Sequence, residues 1–343
     1  MKPHNNTADL LALARQSKDL DAVAIALTKH ADTLVKEGKL SEARSLLEEE
    51  ILLHQKKMRE YDEARCTQFV ATLCRLEGNI DDAYKWAMRA KQLAGHSNPV
   101  IVAAETELGE ISFARGDSVS AVTAFGNAIN EGLSAGLLPE AQAVLRRKYA
   151  LALSSIGNFT RAASELAIAG EQFLEAGNVT EAIRSKIEEA AALQSAGDYV
   201  FAKRIHDIAK HMAVQEEDHK AIADLHLFIA TQAIQRHDLA AALDSAIEAR
   251  TESLLAIAPD SYIAAACAIS DLADRLGDRL VAYEALVVGW ATLGDLSGND
   301  VAKALFSPKL LALVKSWGDK EFRKIKAEYE EKRKFELSAS VYN

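Results

Sequence analysis

The residues of this chain that could ligate a metal or act as nucleophiles are few and scattered. The three cysteines, Cys66, Cys74 and Cys267, show no metal-ligand spacing. Cys66 and Cys74 lie about two helical turns apart, which is too far for a disulfide within one helix. We therefore expect reduced thiols in an apolar core, which is typical of a cytoplasmic protein.

Five histidines occur between positions 206 and 237, a concentration that could indicate a metal site. His206 and His211 are five residues apart, however, so they are poorly placed to share one helix face. The segment Asp295–Asp300 is rich in oxygen ligands but lacks the alternating ligands and the distal glutamate of a calcium loop. These patterns favour packing and surface histidines and an ordinary turn, and no metal is expected.

The motifs of the common enzyme classes are missing from the sequence. It contains no Gly-x-Gly-x-x-Gly, no P-loop, no His-Glu-x-x-His and no Gly-x-Ser-x-Gly. We therefore expect no cofactor and no enzymatic activity. The formal net charge of −10 argues against a nucleic-acid partner. No stretch of about 18 uncharged apolar residues occurs, so neither a membrane span nor a membrane partner is expected.

The elements that would position any functional residue are indicated by a turn that recurs every 38 to 41 residues. It begins at Gly38, Gly78, Gly116, Gly157, Gly197, His237 and Gly277, and each time an alanine follows five residues later. A fixed period of this length predicts a stacked array of helical hairpins. Gly136 and Gly177 mark a second turn halfway through two units, so each unit is predicted to hold two helices of about 17 residues.

Small residues recur at three positions relative to each turn: seven before it, five after it and twelve after it. Small side chains allow two helix axes to approach closely, so these positions are predicted to be helix contacts. Glu50, twelve residues after Gly38, is the one large residue among them. Ser41, Asp81 and Thr160, three residues after their glycines, are expected to cap the helices that follow.

The turn motif Gly-Asp-x-x-x-Ala and the three small positions resemble the tetratricopeptide repeat (TPR) over about residues 20–295. The unit is longer than the usual TPR and is similar to the helical-repeat domains of bacterial regulators. The resemblance implies an all-α fold, a right-handed α-solenoid of about seven stacked hairpins with capping helices. The expected parts are an N-terminal tail and capping helix over 1–18, a superhelix over 19–299, and a degenerate repeat with a charged capping helix over 300–343.

The C-terminal part departs most from the repeat. Ser307-Pro308 is expected to mark the start of a shortened helix, because proline is favoured at the first helical position. A last, highly charged helix is predicted over about 319–337, with a narrow apolar stripe formed by Phe322, Ile325 and Tyr329. This helix is interpreted as a solvated cap, and self-association through it is the alternative.

The resemblance further implies that the first helix of each unit lines a concave groove. The side chains 13, 10, 6 and 3 residues before each turn would point into it, since these offsets share one helix face. The candidate partner-binding residues are Arg65, Gln68, Thr72, Arg75, Thr106, Glu110, Phe113, Arg147, Arg184, Gln194, Asp224, Asp271 and Asp274. Arginines precede aspartates in this order, so the groove could orient a peptide, and ordinary polar surface is the alternative interpretation.

Taken together, these patterns favour a non-enzymatic adaptor that binds a partner protein or peptide in the groove. The alternative is a sensory module that responds to a peptide or small ligand and acts on a transcription or signalling partner.

Overall fold

A computed structural model describes residues 7–17, 19–96 and 99–340, and in these ranges the regular elements are all α-helices. The chain divides into two compact units, Met1–Tyr199 and Val200–Asn343, here called unit 1 and unit 2. The predicted division into capping, superhelical and degenerate parts stays a prediction, and residues 1–6 and 18 of its first part lie outside the described ranges.

Unit 1 is a stack of helices in which each packs against the next along the chain. Most have 17 residues, the length that the repeat predicts. The helices are α1 (Thr7–Ser17), α2 (Leu20–Lys36), α3 (Leu40–Lys56), α4 (Glu60–Leu76), α5 (Ile80–Ala94), α6 (Pro99–Ala114), α7 (Ser118–Ser134), α8 (Pro139–Ser155), α9 (Phe159–Glu175) and α10 (Val179–Ser195).

Unit 2 continues with helices of the same kind. They are α11 (Tyr199–Gln215), α12 (His219–Gln235), α13 (Leu239–Leu255), α14 (Pro259–Leu276), α15 (Arg279–Ser297), α16 (Asn299–Trp317) and α17 (Asp319–Ser340). From α12 to α17 each helix packs against the next, and α17 also packs against α15.

The recurring turns have the backbone conformation that the sequence predicts. Gly277 ends α14 with φ +87°, and the N–H of Asp278 donates to the carbonyl of Ala273 over 2.8 Å. The left-handed conformation lets the chain reverse while carbonyls of the last helical turn stay hydrogen-bonded. The six predicted turn glycines and His237 all have positive φ, which confirms the hairpin register.

The turn halfway through several of the 40-residue repeats was not predicted, because it carries no glycine. Met58, Glu217 and Ile257 occupy it with φ of 53°, 51° and 50°. Left-handed backbone is strained for residues with a Cβ, and most strained for a β-branched one. The hairpin geometry is therefore imposed by helix packing at these turns rather than by local preference.

The predicted N-caps were wrong. Ser41, Asp81 and Thr160 are each the second residue of a helix. The cap is the residue directly after the turn: Asn158, for example, accepts a hydrogen bond from the backbone N–H of Arg161. A single left-handed residue completes the reversal, so the helix starts two residues earlier than expected.

The small positions of the repeat lie in the core, as predicted. Gly38 and its equivalents are followed five residues later by alanines that are at most 1% exposed. Glu50 is 1% exposed as well, so the one departure from the small-residue pattern places a carboxylate in the interior of unit 1.

Pro308 does not start a helix; this prediction was wrong. It lies inside α16, which runs without interruption from Asn299 to Trp317. Proline has no backbone N–H, so the carbonyl of Ala304 lacks its helical hydrogen bond. Both residues are exposed, so water can supply that hydrogen bond.

The apolar stripe of α17 packs within unit 2. The ring of Tyr283 on α15 contacts Phe322 and Tyr329 with centroids 5.4 and 5.6 Å apart, and Ile325 is buried beside them. Self-association through α17 stays a prediction, and the packed stripe leaves Phe335 as an exposed apolar residue on this helix.

One described helix, α15, is long and apolar enough to cross a membrane by length and composition. Tyr283, Leu286 and Leu293 of α15 are buried, and the helix packs against α14, α16 and α17. Within the apolar stretch of this helix, 33% is buried.

Candidate partner-binding site

The predicted groove residues of unit 1 lie on α4, α6, α8 and α10. All of them are half-buried, which fits a helix face that is neither core nor fully solvated. They are Arg65, Gln68, Thr72, Arg75, Thr106, Glu110, Phe113, Arg147, Arg184 and Gln194.

Ion pairs connect these first helices to one another. Arg75 of α4 bonds to buried Glu107 of α6, whose other carboxylate oxygen accepts from Thr72 over 2.9 Å. Glu110 of α6 pairs with Lys148 of α8. Half-buried ion pairs of this kind fix the spacing and register of adjacent hairpins.

A further contact of this kind joins α8 to α10. Arg147 bonds to Glu188 through both Nε and Nη2, with Nε 3.0 Å from Oε2, and to Glu181 through Nη1. Burial opposes the charge of Arg147, but the hydrogen bonds and charges of Glu188 and Glu181 outweigh it and raise the pKa of the guanidinium. Arg184 pairs with Glu181 as well.

The arginines are therefore neutralised within unit 1. Each predicted groove arginine of unit 1 has an internal acidic partner, and binding of a partner by these residues stays a prediction. Arg65 lies 3.6 Å from the carboxylate of Glu50 and follows the same rule. Sequence reasoning overlooked Glu181 and Glu188, although their spacing of seven residues puts them on one face of α10.

The remaining predicted residues of unit 1 make local contacts. Gln68 donates to the Thr72 hydroxyl over 3.1 Å, and the Thr106 hydroxyl donates to the carbonyl of Val102. Phe113 packs against the main apolar cluster of unit 1.

A cavity of about 500 Å³ opens between α8 and α10, with α9 as its floor. Its lining is mainly apolar and includes charged and hydroxyl groups. The lining residues are Val144, Arg147, Lys148, Ala150, Leu151, Ser154, Phe159, Leu166, Glu188, Ala191, Ala192 and Ser195. We call this the α8–α10 cavity.

Two large apolar side chains at this cavity are left uncovered. Leu151 is 57% exposed and Val144 is 43% exposed, one helical turn on either side of Arg147. Both occupy groove offsets that the repeat register assigns, as do Ser154 and Ala191. A cavity of this size with apolar walls and few polar groups is typical of a ligand site.

The predicted aspartates of unit 2 make contacts inside that unit. Asp224 accepts from the Ser261 hydroxyl over 2.6 Å and pairs with Lys220. Asp274 accepts from the indole N–H of Trp317 over 2.7 Å. Asp271 is exposed and lies 3.6 Å from Arg275. Two of the three thus tie helices of unit 2 together.

No protein-family model matches the sequence, and no curated protein matches it. Solved structures do match. The chain is similar to a signal transduction ATPase with numerous domains from Pyrococcus horikoshii, which carries a tetratricopeptide repeat sensor, with a TM-score of 0.62 and 15% identity. That match covers 84% of this chain and 45% of the other.

Two further structures are similar over most of both chains. A tetratricopeptide repeat protein from Parabacteroides merdae gives a TM-score of 0.55 at 14% identity, covering 83% of this chain and 97% of the other. The apo form of the quorum sensor NprR from B. thuringiensis gives 0.52 at 12% identity, covering 95% and 100%. The chain therefore has the fold of a TPR-like α-solenoid, and the predicted fold class is confirmed.

Proposed function

We propose that this chain is a non-enzymatic adaptor that binds a segment of a partner protein, with one apolar side chain of that segment seated in the α8–α10 cavity. The observation that carries the proposal is the exposed pair Val144 and Leu151 at a concave site. Apolar side chains left uncovered in a concavity gain free energy when a partner removes them from water.

The charges at the cavity indicate which kind of partner segment fits there. The two cations among the cavity's lining residues are already neutralised, because Arg147 pairs with Glu181 and Glu188 and Lys148 pairs with Glu110. The carboxylates retain lone pairs, and the Ser154 hydroxyl is part of the lining. An uncharged segment with a Leu, Met or Phe anchor fits this site better than an acidic or phosphorylated one.

The proposal is tested by selecting binders of the full-length chain from a random-peptide display library. Selected peptides are expected to share an apolar anchor, and their Kd is measured by isothermal titration calorimetry. Leu151→Glu is expected to weaken binding by about 30-fold or more, the effect of losing a hot-spot contact of about 2 kcal/mol.

The matched control is Ile168→Glu, which places the same charge at an exposed apolar position of α9 outside the cavity. It is expected to leave Kd unchanged. Equal losses in both variants, or selected peptides that lack an apolar anchor, would contradict the proposal.

A sensory role is the second candidate. Two of the similar structures are described as a quorum sensor and as a protein with a tetratricopeptide repeat sensor. In a sensor the selected peptide would change the conformation of the chain as well as bind. A change in the radius of gyration on peptide binding, measured by small-angle scattering, would favour the sensor, and an unchanged value would favour the adaptor.

A further inference from the structure

Three side chains with metal-ligating atoms converge inside unit 1. Glu50 and His54 lie one helical turn apart on α3, and Cys66 lies on the adjacent α4. All three are buried, with at most 4% of each residue exposed. One ligand atom from each lies within 4.8 Å of the other two, and His54 Nε2 is 3.2 Å from Glu50 Oε1.

The repeat register shows that helix packing does not require these residues. At the position of Glu50 the other six repeats carry Ala90, Ala128, Ala169, Ala209, Ala249 and Gly289. At the position of His54 they carry Ala, Gly, Phe, Ser or Leu, and at that of Cys66 they carry Ala, Leu or Ser. Polar ligand atoms replace small or apolar side chains at three positions of one hairpin, and these three positions meet in space. Burying a carboxylate opposes folding unless it is compensated.

We propose that Glu50, His54 and Cys66 form a binding site for a divalent cation of the zinc class. Mixed sulfur, nitrogen and oxygen ligands suit Zn²⁺ and its spectroscopic substitute Co²⁺, and not Mg²⁺ or Ca²⁺, which prefer oxygen. Bond lengths of about 2.0–2.3 Å place tetrahedral ligand atoms about 3.3–3.6 Å apart. The Glu50–His54 separation is already close to this range. The Cys66 sulfur lies within 4.8 Å of both other ligand atoms, so a shift of about 1 Å would bring it into the range as well.

The surroundings of Glu50 also suit a ligand. The Thr28 hydroxyl of α2 lies 2.8 Å from both carboxylate oxygens and shares its one proton between them, which holds the carboxylate in its orientation. Arg65 Nη2 lies 3.6 Å from Oε1, and its side chain is 38% exposed. Arg65 competes with a cation for the carboxylate, but its exposure lets it turn toward water when the cation binds. The carboxylate and the thiolate together neutralise a divalent charge.

The test uses the full-length chain, stripped of metal by a chelator, kept reduced and titrated with Co²⁺ alone. A sulfur-to-cobalt charge-transfer band is expected in the near ultraviolet, saturating at stoichiometric Co²⁺ and removed by competing Zn²⁺. The folded state is also expected to gain thermal stability with added Zn²⁺, because the cation binds the folded chain preferentially. A wild-type chain without the band would overturn the proposal.

The variants replace each ligand with a residue that other hairpins carry at the same position, so folding is preserved. Glu50→Ala, His54→Ala and Cys66→Ala are expected to keep their helical circular dichroism and to lose the band. Thr28→Val is expected to weaken Co²⁺ binding by about 10–100-fold. Cys74→Ala removes another buried thiol of α4 that lies outside the cluster, and it should retain the band. A band that survives in Cys66→Ala would assign the metal to another place and overturn the proposal.

Discussion

Gly109 and Phe125 face each other across the contact between α6 and α7, so closely that a Cβ on Gly109 would lie 2.5 Å from Cε1 of Phe125. Both occupy repeat positions, seven before and nine after the turn at Gly116. Gly109 is the smallest residue that any repeat carries seven positions before its turn. Phe125 is one of the largest that any repeat carries nine positions after it. The absent side chain of Gly109 thus leaves the space that the Phe125 ring fills.

Gly109→Ala is expected to destabilise the chain by about 1–3 kcal/mol, because the added methyl group forces the Phe125 ring to move. Urea denaturation measures the change in the free energy of unfolding. The control is Gly126→Ala on α7, whose Cβ would meet only Tyr149 at 3.8 Å. That variant should be neutral or stabilising by up to about 1 kcal/mol, since alanine favours helix. Phe125→Leu should restore part of the loss in Gly109→Ala, and an unchanged loss would show that the clash is not its cause.

The left-handed turns of unit 2 give a second prediction. Ile257 is 70% exposed and has φ +50°, so its side chain contributes strain and little burial. Ile257→Gly is expected to stabilise the chain by about 0.5–1 kcal/mol, the relief of strain minus the greater entropy of glycine in the unfolded chain. Gly277→Ala, at φ +87° with nothing within 4 Å of the added Cβ, should lose about 1 kcal/mol. Shifts of the melting temperature in opposite directions in the two variants would confirm that backbone strain is the cause. Shifts in the same direction would contradict it.

Arg147 gives a prediction about stability rather than binding. Arg147→Glu would place a third carboxylate beside Glu181 and Glu188, and the loss of charge-assisted hydrogen bonds is expected to cost about 2 kcal/mol. Guanidinium chloride would screen the effect, so urea denaturation at low salt is the suitable measurement. The double variant Arg147→Glu with Glu188→Arg should recover part of the loss. If Arg147→Glu unfolds at the wild-type urea concentration, the ion pairs do not hold α8 and α10 together.

His206 gives a prediction on pH. Burial lowers the pKa of His206 from its ordinary value of 6.5, its Nε2 has no hydrogen-bond partner, and its ring stacks on Phe228 with centroids 5.5 Å apart. Below about pH 6.5 the unfolded chain binds the proton more readily than the folded chain, so stability is lost as the pH falls through the folded pKa. Above pH 6.5 both states are neutral and this contribution is constant.

His206→Phe keeps the stacked ring and removes the titration. Its free energy of unfolding is expected to fall less steeply than that of the wild type between about pH 6.5 and pH 5. Urea denaturation across this range measures both slopes, with the exposed His211→Gln as the control substitution. Identical slopes for His206→Phe and wild type would show that His206 is not the titrating group.

The candidate site shows which of its features can be predicted from residue spacing. The register placed Val144, Arg147, Leu151 and Ser154 on one face of α8, and the structure places all four at a single cavity. The same register could not predict that Arg147 forms ion pairs with Glu181 and Glu188. These carboxylates lie on α10, more than thirty residues away in sequence. Pairing across helices depends on the distance between hairpins, which no local pattern encodes.

The sequence by itself determined the class of fold, because a turn residue and small packing positions repeated at a fixed period leave helices with only one way to bury their apolar faces. It also determined most turn positions, since glycine tolerates left-handed backbone at little cost. Only the tertiary structure decided which turns form without glycine, as at Ile257, and which charges are neutralised, as at Arg147. It also brought Glu50, His54 and Cys66 together. These outcomes depend on contacts between separate helices, where packing energy overrides local conformational preference and fixes distances that sequence separation does not contain.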